Sequence, residues 1–543
     1  MPRTGTPRGR RDTWRGLALA LLLAVATACA TGPEDPSSPV LRTAGGDLQG
    51  IDDGSVQRYL GLRYAQPPVG DLRWAPPVAV PAWSGVRPVT ASGPRCPQRG
   101  GASAGQVPAD QSEDCLFLDV TVPTQRAADA RLPVVVWWHG GGYVSGAGSD
   151  VDPRRLAEQG VVVVSVNYRL GLLGYLGLPG LVGSGSFGFL DQLASLRWVR
   201  DNVAAFGGDP AAVTVAGQSA GAAAVCALLG SPALGDLGVA RAIVMSGSCS
   251  VSWPPTALGP DRGPRRLYAP REAVEAAGAQ TAAGLGCTGP DAATCLRGRS
   301  TAQLLDATPP QTVLAYGSDV LPVEPGDALD GRRTPIPVLI GTTHDEARAF
   351  VRPQQRADPA RFGPSAYPRL LEAAFGGSAD AVEREYPLAR HGGSGPATWS
   401  AVLTDTVWSC PTLRDEQALA RSAPTFAYEF AAPDPDPGAG DEGPNRLPVG
   451  AQHSGDLPLL FDVPGVGSLP DAEQDLGRRV VASWAAFART GRPDGPGLPP
   501  WEPADRDGVP RPTVLGVEGV APYDASVEHH CGFWARTARA GAR

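Results

Sequence analysis
The segment Val213-Thr-Val-Ala-Gly217-Gln218-Ser219-Ala220-Gly221 has the residue types and spacing for nucleophilic chemistry. An apolar, β-branched run leads into Gly-x-Ser-x-Gly, and small helix-forming residues follow. A serine on a sharp strand-to-helix turn projects its hydroxyl above a sheet. Gly217 and Gly221 supply the side-chain-free positions such a turn needs. The helix beyond it aims its first amides, and the positive end of its dipole, at the reacting centre. A second segment, Val134-Val-Val-Trp-Trp-His139-Gly140-Gly141-Gly142-Tyr143, runs from an apolar strand into a glycine bend. Unhindered backbone amides there can converge on one oxygen, as an acyl-transfer oxyanion requires. The amides of Gly141, Gly142 and Ala220 are the predicted oxyanion hole. A glycine-rich turn alone accounts for neither the preceding strand nor the companion serine.

A serine working near neutral pH needs a histidine base. The chain holds six histidines: His139, His344, His391, His453, His529 and His530. With a strand–Ser–helix elbow the partners follow in the order Ser, acid, His. That order leaves His391, His453, His529 and His530 open.

The elements that would position these groups are legible. Val134–Trp138, Val161–Val166, Val213–Ala216, Ala242–Met245, Val338–Ile340 and Phe426–Phe430 are short apolar runs of the kind buried on both faces of a sheet. Helical segments alternate with them, at Leu190–Val203, Ala220–Leu229 and Asp475–Arg489. The alternation predicts an α/β fold, with a large, mostly parallel mixed sheet flanked by helices. Apolar content of 42% over 543 residues fits a globular chain with a substantial core. A net charge of −8 argues against nucleic acid as a partner, because phosphate binding needs clustered cations. All 47 basic residues are arginine, a bias that points to a GC-rich genome more than to chemistry.

The N-terminus carries an export pattern. Arg3, Arg8, Arg10, Arg11 and Arg15 precede the apolar stretch Gly16–Ala28, which is shorter than the ~20 residues of a spanning helix. Ala26-Thr27-Ala28 fits a small-x-small cleavage site, and Cys29 follows. The pattern resembles a bacterial lipoprotein signal with Cys29 as the lipidation candidate, although Ala26 stands where leucine is usual. Ordinary cleavage and release is the alternative. The expected organisation is a signal over 1–29, a polar Pro-rich tether over 30–40 and one domain over 41–543, in an exported protein whose only membrane link is that anchor.

Further motifs resemble the type-B carboxylesterase/cholinesterase family from about Val56 to Trp534. They are Tyr59 to Trp74, Ser112-Glu113-Asp114-Cys115-Leu116, Asn167-Tyr-Arg-Leu-Gly171, Asp191-Gln192 and Phe206 to Pro210, with Ser219 inside the active-serine signature. The resemblance implies the α/β-hydrolase fold and a serine carboxylic-ester hydrolase of small-molecule esters that needs no metal or organic cofactor. A lipase-like or carbamate hydrolase of the same fold is the alternative, and a non-catalytic surface binding protein a more distant one. Gly341-Thr-Thr-His344-Asp345-Glu346 resembles the segment ending in the triad acid, which implies Glu346. Gly450–Phe461 resembles the histidine segment, which implies His453. Ser246 matches a second family serine near the triad. The resemblance also implies the disulfides Cys96–Cys115, Cys287–Cys295 and Cys410–Cys531. With Cys29 set aside, nine cysteines leave Cys226 and Cys249, one after the nucleophile on its helix and one after the next strand, as a fourth pair. Two departures narrow the substrate. Gln218 stands where cholinesterases carry glutamate, and the Cys96–Cys115 loop lacks the tryptophan that would hold a quaternary ammonium. Choline esters are therefore not the expected substrates.

Overall fold
In a computed structural model of the chain, residues 40–99, 110–127, 129–309, 312–331, 336–432, 447–504 and 510–541 are described. Cys29, the signal segment and nearly all of the tether lie outside them. Val40, expected at the end of the tether, already pairs with Gln49 in a short strand, and Ser38–Arg543 form one compact unit.

The strands of the main sheet, in chain order, are β1 (Ile51–Asp53), β2 (Val56–Arg63), β3 (Phe117–Pro123), β4 (Leu132–Trp138), β5 (Val162–Val166), β6 (Gly208–Gln218), β7 (Val239–Met245), β8 (Val338–Thr343), β9 (Thr425–Phe430), β10 (Thr513–Gly516) and β11 (Gly519–Pro522). They form an 11-stranded sheet in the order β11-β10-β9-β8-β7-β6-β4-β5-β3-β2-β1. β4 through β10 pair in parallel. The edges, β1–β3 and β11, are antiparallel.

The apolar runs are continuous because both faces are covered. Val134, Val136 and Trp138 of β4 enter one core cluster, and Val135 and Trp137 enter another. On the first face lie α1 (Phe187–Asn202) and α2 (Ala220–Gly230), the latter buried on all sides. The second face is covered by a helix spanning Asp471–Thr490, whose Leu476, Val480, Trp484 and Phe487 face β4, β6 and β9. Local chemistry sets that helix's limits. Asp471 and Glu473 occupy its first turn, Arg489 its last, and Gly491 closes it at φ 77°.

Register does the functional positioning. Trp138 pairs with Gly217, Gln218 with Met245, and Met245 with Gly341. The C-terminal ends of four neighbouring parallel strands therefore line up, which is where open α/β sheets place their sites.

The structure joins Cys96–Cys115, Cys226–Cys249, Cys287–Cys295 and Cys410–Cys531. Cys410–Cys531 closes a loop of 121 residues and so constrains the unfolded chain most, by about 4–5 kcal/mol in the chain-entropy account. Among the described residues no helix is long and apolar enough to cross a membrane.

Candidate active site
β6 ends at Gln218 and α2 begins at Ala220, so Ser219 alone makes the turn. It does so at φ 55°, ψ −120°, a conformation that costs a non-glycine residue about 1–3 kcal/mol. Packing holds it there. Ser219 N–H donates to Met245 O at 2.9 Å, and its carbonyl accepts from Ala223 N–H at 2.9 Å. A Cβ on Gly217 would lie 2.5 Å from the Gly221 carbonyl, and one on Gly221 only 2.0 Å from Trp138 O. Trp138 is the last residue of a central strand and cannot yield. Gly221→Ala is therefore expected to cost about 3 kcal/mol or more, read as a lower denaturation midpoint or loss of soluble protein. A variant as stable as the wild type would show that the elbow relaxes freely.

The loop after β4 passes directly beside the nucleophile. A Cβ on Gly140 would lie 3.1 Å from Ser219 Cβ. Gly141 and Gly142 take φ 105° and 63°, and a Cβ on Gly141 would meet Ser145 O at 2.1 Å. Among the described residues, neither the Gly141 nor the Gly142 N–H has a hydrogen-bond partner in the protein. Ala220 is the first residue of α2, so its N–H has no carbonyl one turn back to bond.

His139 serves the loop and not the chemistry. Its ring stacks on Tyr168 at 4.3 Å, and Nδ1–H donates to Gly140 O at 2.8 Å. Burial lowers its pKa to about 4, so the ring stays neutral.

Glu346 and His453 come together across the ends of two loops. Glu346, fully buried, accepts at Oε2 from His453 Nδ1–H at 2.5 Å and at Oε1 from Thr343 N–H at 2.9 Å. The two loops are zipped by Asp345 N–H to Ala451 O at 2.8 Å, Ala451 N–H to Asp345 Oδ2 at 3.0 Å and His453 N–H to Glu346 O at 3.3 Å. Asp345, the acid beside Glu346, is thus the clamp that delivers the histidine loop.

Because Nδ1 carries the proton given to Glu346, Nε2 presents a lone pair. In this structure that lone pair faces the Gln218 amide: Gln218 Nε2 is 3.2 Å from it and also donates to Ser454 Oγ at 2.9 Å. Among the described residues no hydrogen bond joins Ser219 Oγ to His453. The side chain next to the nucleophile occupies the position expected for the nucleophile itself.

Several neighbours escape sequence reasoning. Asp456, three residues after His453, is fully buried, with Oδ1 unpartnered and Oδ2 accepting from Tyr428 OH at 3.4 Å. Burial and the nearby Glu346 charge raise its pKa to about 7. Phe350 and Trp408 lie 5.2 and 5.7 Å from the His453 ring. A Phe or Trp remote in sequence carries no local signal that it will wall a site. Ser246, by contrast, is the second serine expected near the triad from the sequence; it is buried at φ 53° with Oγ unpartnered, at the end of β7 beside the elbow.

Of the other histidines left open by chain order, His529 and His530 have partners elsewhere. His529 Nδ1 bonds Asp405 at 2.6 Å and Nε2 bonds Glu429 at 2.7 Å. His530 Nδ1 bonds Glu385 at 2.7 Å. His391 lies with His344 on the walls of a cavity apart from the triad. Among the described residues no cluster of His, Cys, Asp and Glu is arranged to hold a metal ion.

The chain is similar to known proteins over most of its length. The sequence profile of the carboxylesterase family matches residues 37–513. The chain is 33% identical over 521 residues to the fumonisin B1 esterase of Sphingopyxis macrogoltabida, across 90% of this chain and 88% of that protein. It is 32% identical over 484 residues to the para-nitrobenzyl esterase of Bacillus subtilis, across 84% and 90%. A solved PNB esterase structure superposes with a TM-score of 0.74 at 28% identity, over 91% of this chain and 99% of that one. A thermophilic PNB esterase gives 0.73 at 29% identity, over 91% and 100%. The family profile over residues 37–513, together with relatives more than 30% identical over most of both chains, places this protein in the carboxylesterase family.

Proposed function
We propose that the protein hydrolyses carboxylic esters of small molecules through an acyl-enzyme on Ser219, with His453 as base, Glu346 as its orienting acid and the amides of Gly141, Gly142 and Ala220 as the oxyanion hole. The observation that carries this reading is the buried Glu346–His453 pair, at 2.5 Å, presenting a lone pair beside a strained serine and two unengaged amides. The fold contributes geometry that solution chemistry lacks. The amides are fixed before the reaction, so no reorganisation is needed as charge develops on the carbonyl oxygen.

The sequence of events follows from those positions. His453 Nε2 exchanges the Gln218 amide for Ser219 Oγ, and Gln218 keeps Ser454 as its partner. Apo structures of serine hydrolases often lack the tightened catalytic hydrogen bond. Oγ attacks the ester carbonyl as its proton passes to Nε2, and Glu346 stabilises the imidazolium without taking the proton. Collapse of the intermediate breaks the ester C–O bond, and the imidazolium protonates the departing alcohol. Water then attacks the acyl-enzyme by the same route and releases the acid.

The test is covalent trapping. A fluorophosphonate should label one site, identified as Ser219 by peptide mass spectrometry, and p-nitrophenyl acetate should give a burst when deacylation is slower than acylation. Labelling elsewhere, or hydrolysis of esters with no labelling at all, would reject the assignment.

Placement outside the cytoplasm belongs to the same proposal. It is supported by the signal-like first 29 residues and by four disulfides, which persist in oxidising compartments. An N-terminal peptide beginning at a diacylated Cys29 would establish the anchor, and an unmodified mature N-terminus would leave a released protein.

A further inference from the structure
A short ribbon pairs Ser252–Trp253 antiparallel with Arg265–Arg266. Its register sets Trp253 opposite Arg265, and directly opposed residues of such a pair share a face. Trp253 packs edge-on against Phe350 at 4.8 Å and Trp408 at 4.4 Å, the two rings that flank His453. Arg265 reaches the glycine loop: a Cβ on Gly142 would meet only Arg265 Nη2, at 3.5 Å, and Val144 Cγ2, at 3.9 Å. One ribbon face therefore offers an apolar wall toward the base and a cation toward the oxyanion loop, with the absent Gly142 side chain leaving room between.

The guanidinium has no acidic partner among the described residues. Its Nε is buried without a hydrogen-bond partner, and the nearby Glu324 pairs with Arg266 instead. Desolvation lowers its pKa. The neighbouring Tyr143 hydroxyl, also buried and unpartnered, carries no charge to balance it. Arg265 is half-buried, so a cation there without a counter-charge bears part of the cost of desolvation, and an internal carboxylate would relieve it. Here the missing anion faces the place where substrate must lie.

We propose that Arg265 binds a carboxylate carried by the substrate, so that the preferred esters bear a free acid group. The guanidinium would accept such a group through charge-assisted hydrogen bonds, bidentate where geometry allows. This inference rests on Ser219 as the reacting centre, because only then does Gly142 mark the position of the ester carbonyl.

The experiment compares kcat/KM for two matched ester pairs on the whole protein. p-Nitrophenyl hemiglutarate against p-nitrophenyl valerate places the charge on the acyl side. para-Butyryloxybenzoate against phenyl butyrate places it on the alcohol side. In at least one pair, Arg265→Gln lowers the charged-to-neutral ratio by about 10- to 100-fold, and Arg265→Lys lowers it less. The ratio is the readout because a general loss of folding would lower both members together. If Arg265→Gln does not fold, Arg265→Lys and competitive inhibition of the wild type by glutarate, weaker for neutral glutaramide, carry the test. Ratios within about twofold of wild type in both pairs overturn the proposal, as does equal inhibition by glutarate and glutaramide. Failure of the wild type to hydrolyse any of the four esters instead removes the Ser219 reading, and this inference with it.

Discussion

Ser219→Ala is expected to lower kcat for a p-nitrophenyl ester by about 10⁶-fold, with fluorophosphonate labelling abolished and the fold intact. The alanine keeps the elbow's backbone, and Ser219 is not a core residue, so the loss is chemical and not structural. A residue of about 10³–10⁴ over water should survive, because the unengaged amides of Gly141 and Gly142 still face the carbonyl oxygen. Glu346→Gln provides the companion. The carboxamide can no longer hold His453 with Nε2 unprotonated, and a loss of about 10⁴-fold is expected from the wrong tautomer. Steady-state kinetics on purified variants decide both. Retention of more than about 1% of wild-type kcat by Ser219→Ala would move the nucleophile elsewhere.

His529→Phe is expected to be the most destabilising of the conservative-volume changes, at about 3–5 kcal/mol. Burial alone would keep this ring neutral. The hydrogen bonds the ring donates to Asp405 and Glu429 outweigh it and raise the pKa to about 10, so the ring is an imidazolium between two carboxylates. Phenylalanine would leave those carboxylates facing each other, with only His344 Nε2, 4.0 Å from Glu429 Oε1, as a cationic neighbour. The effect spreads, because Asp405 also accepts from Tyr386 OH at 2.7 Å, and Tyr386 accepts from Trp534 Nε1 at 2.7 Å. The network, together with Cys410–Cys531, ties the C-terminal helix Cys531–Gly541 to β9. The pH dependence has a definite sign. The folded pKa lies above the ordinary 6.5, so the stabilisation is complete below about pH 6.5 and is lost as pH rises toward 10. Denaturation of both proteins across that range should show the gap between them shrinking with pH. A gap that is constant, or that grows, would mean His529 is neutral in the native state.

Much of the site was written locally. The elbow needs glycines two residues before and two after a serine, on a turn between an apolar run and small helix formers, and all of that lies within Val213–Gly221. The glycine loop is equally local. The predicted apolar runs coincide with β4 through β9 to within a few residues, because a parallel strand covered on both faces must be apolar throughout. The edge strands β2 and β3 give no such run, since polar residues such as Gln57, Arg58 and Asp119 alternate through them.

Partnership between distant polar groups is a different matter. Chain order left four histidines open, and nothing near His453 or His529 in sequence says which faces a serine and which a pair of carboxylates. His453 meets Glu346 across 107 residues and Gln218 across 235, and those meetings depend on the register that aligns the ends of β4, β6, β7 and β8. The Arg265 ribbon reaches Gly142 from a separate two-stranded pair. The sequence by itself determined the reaction type, because a strained nucleophile and free amides are backbone properties encoded within a few residues. Only the tertiary structure decided which side chain sits at His453 Nε2, what clamps its loop and which cation lies beside Gly142, because long polar side chains take their partners from whatever segment the fold carries past them.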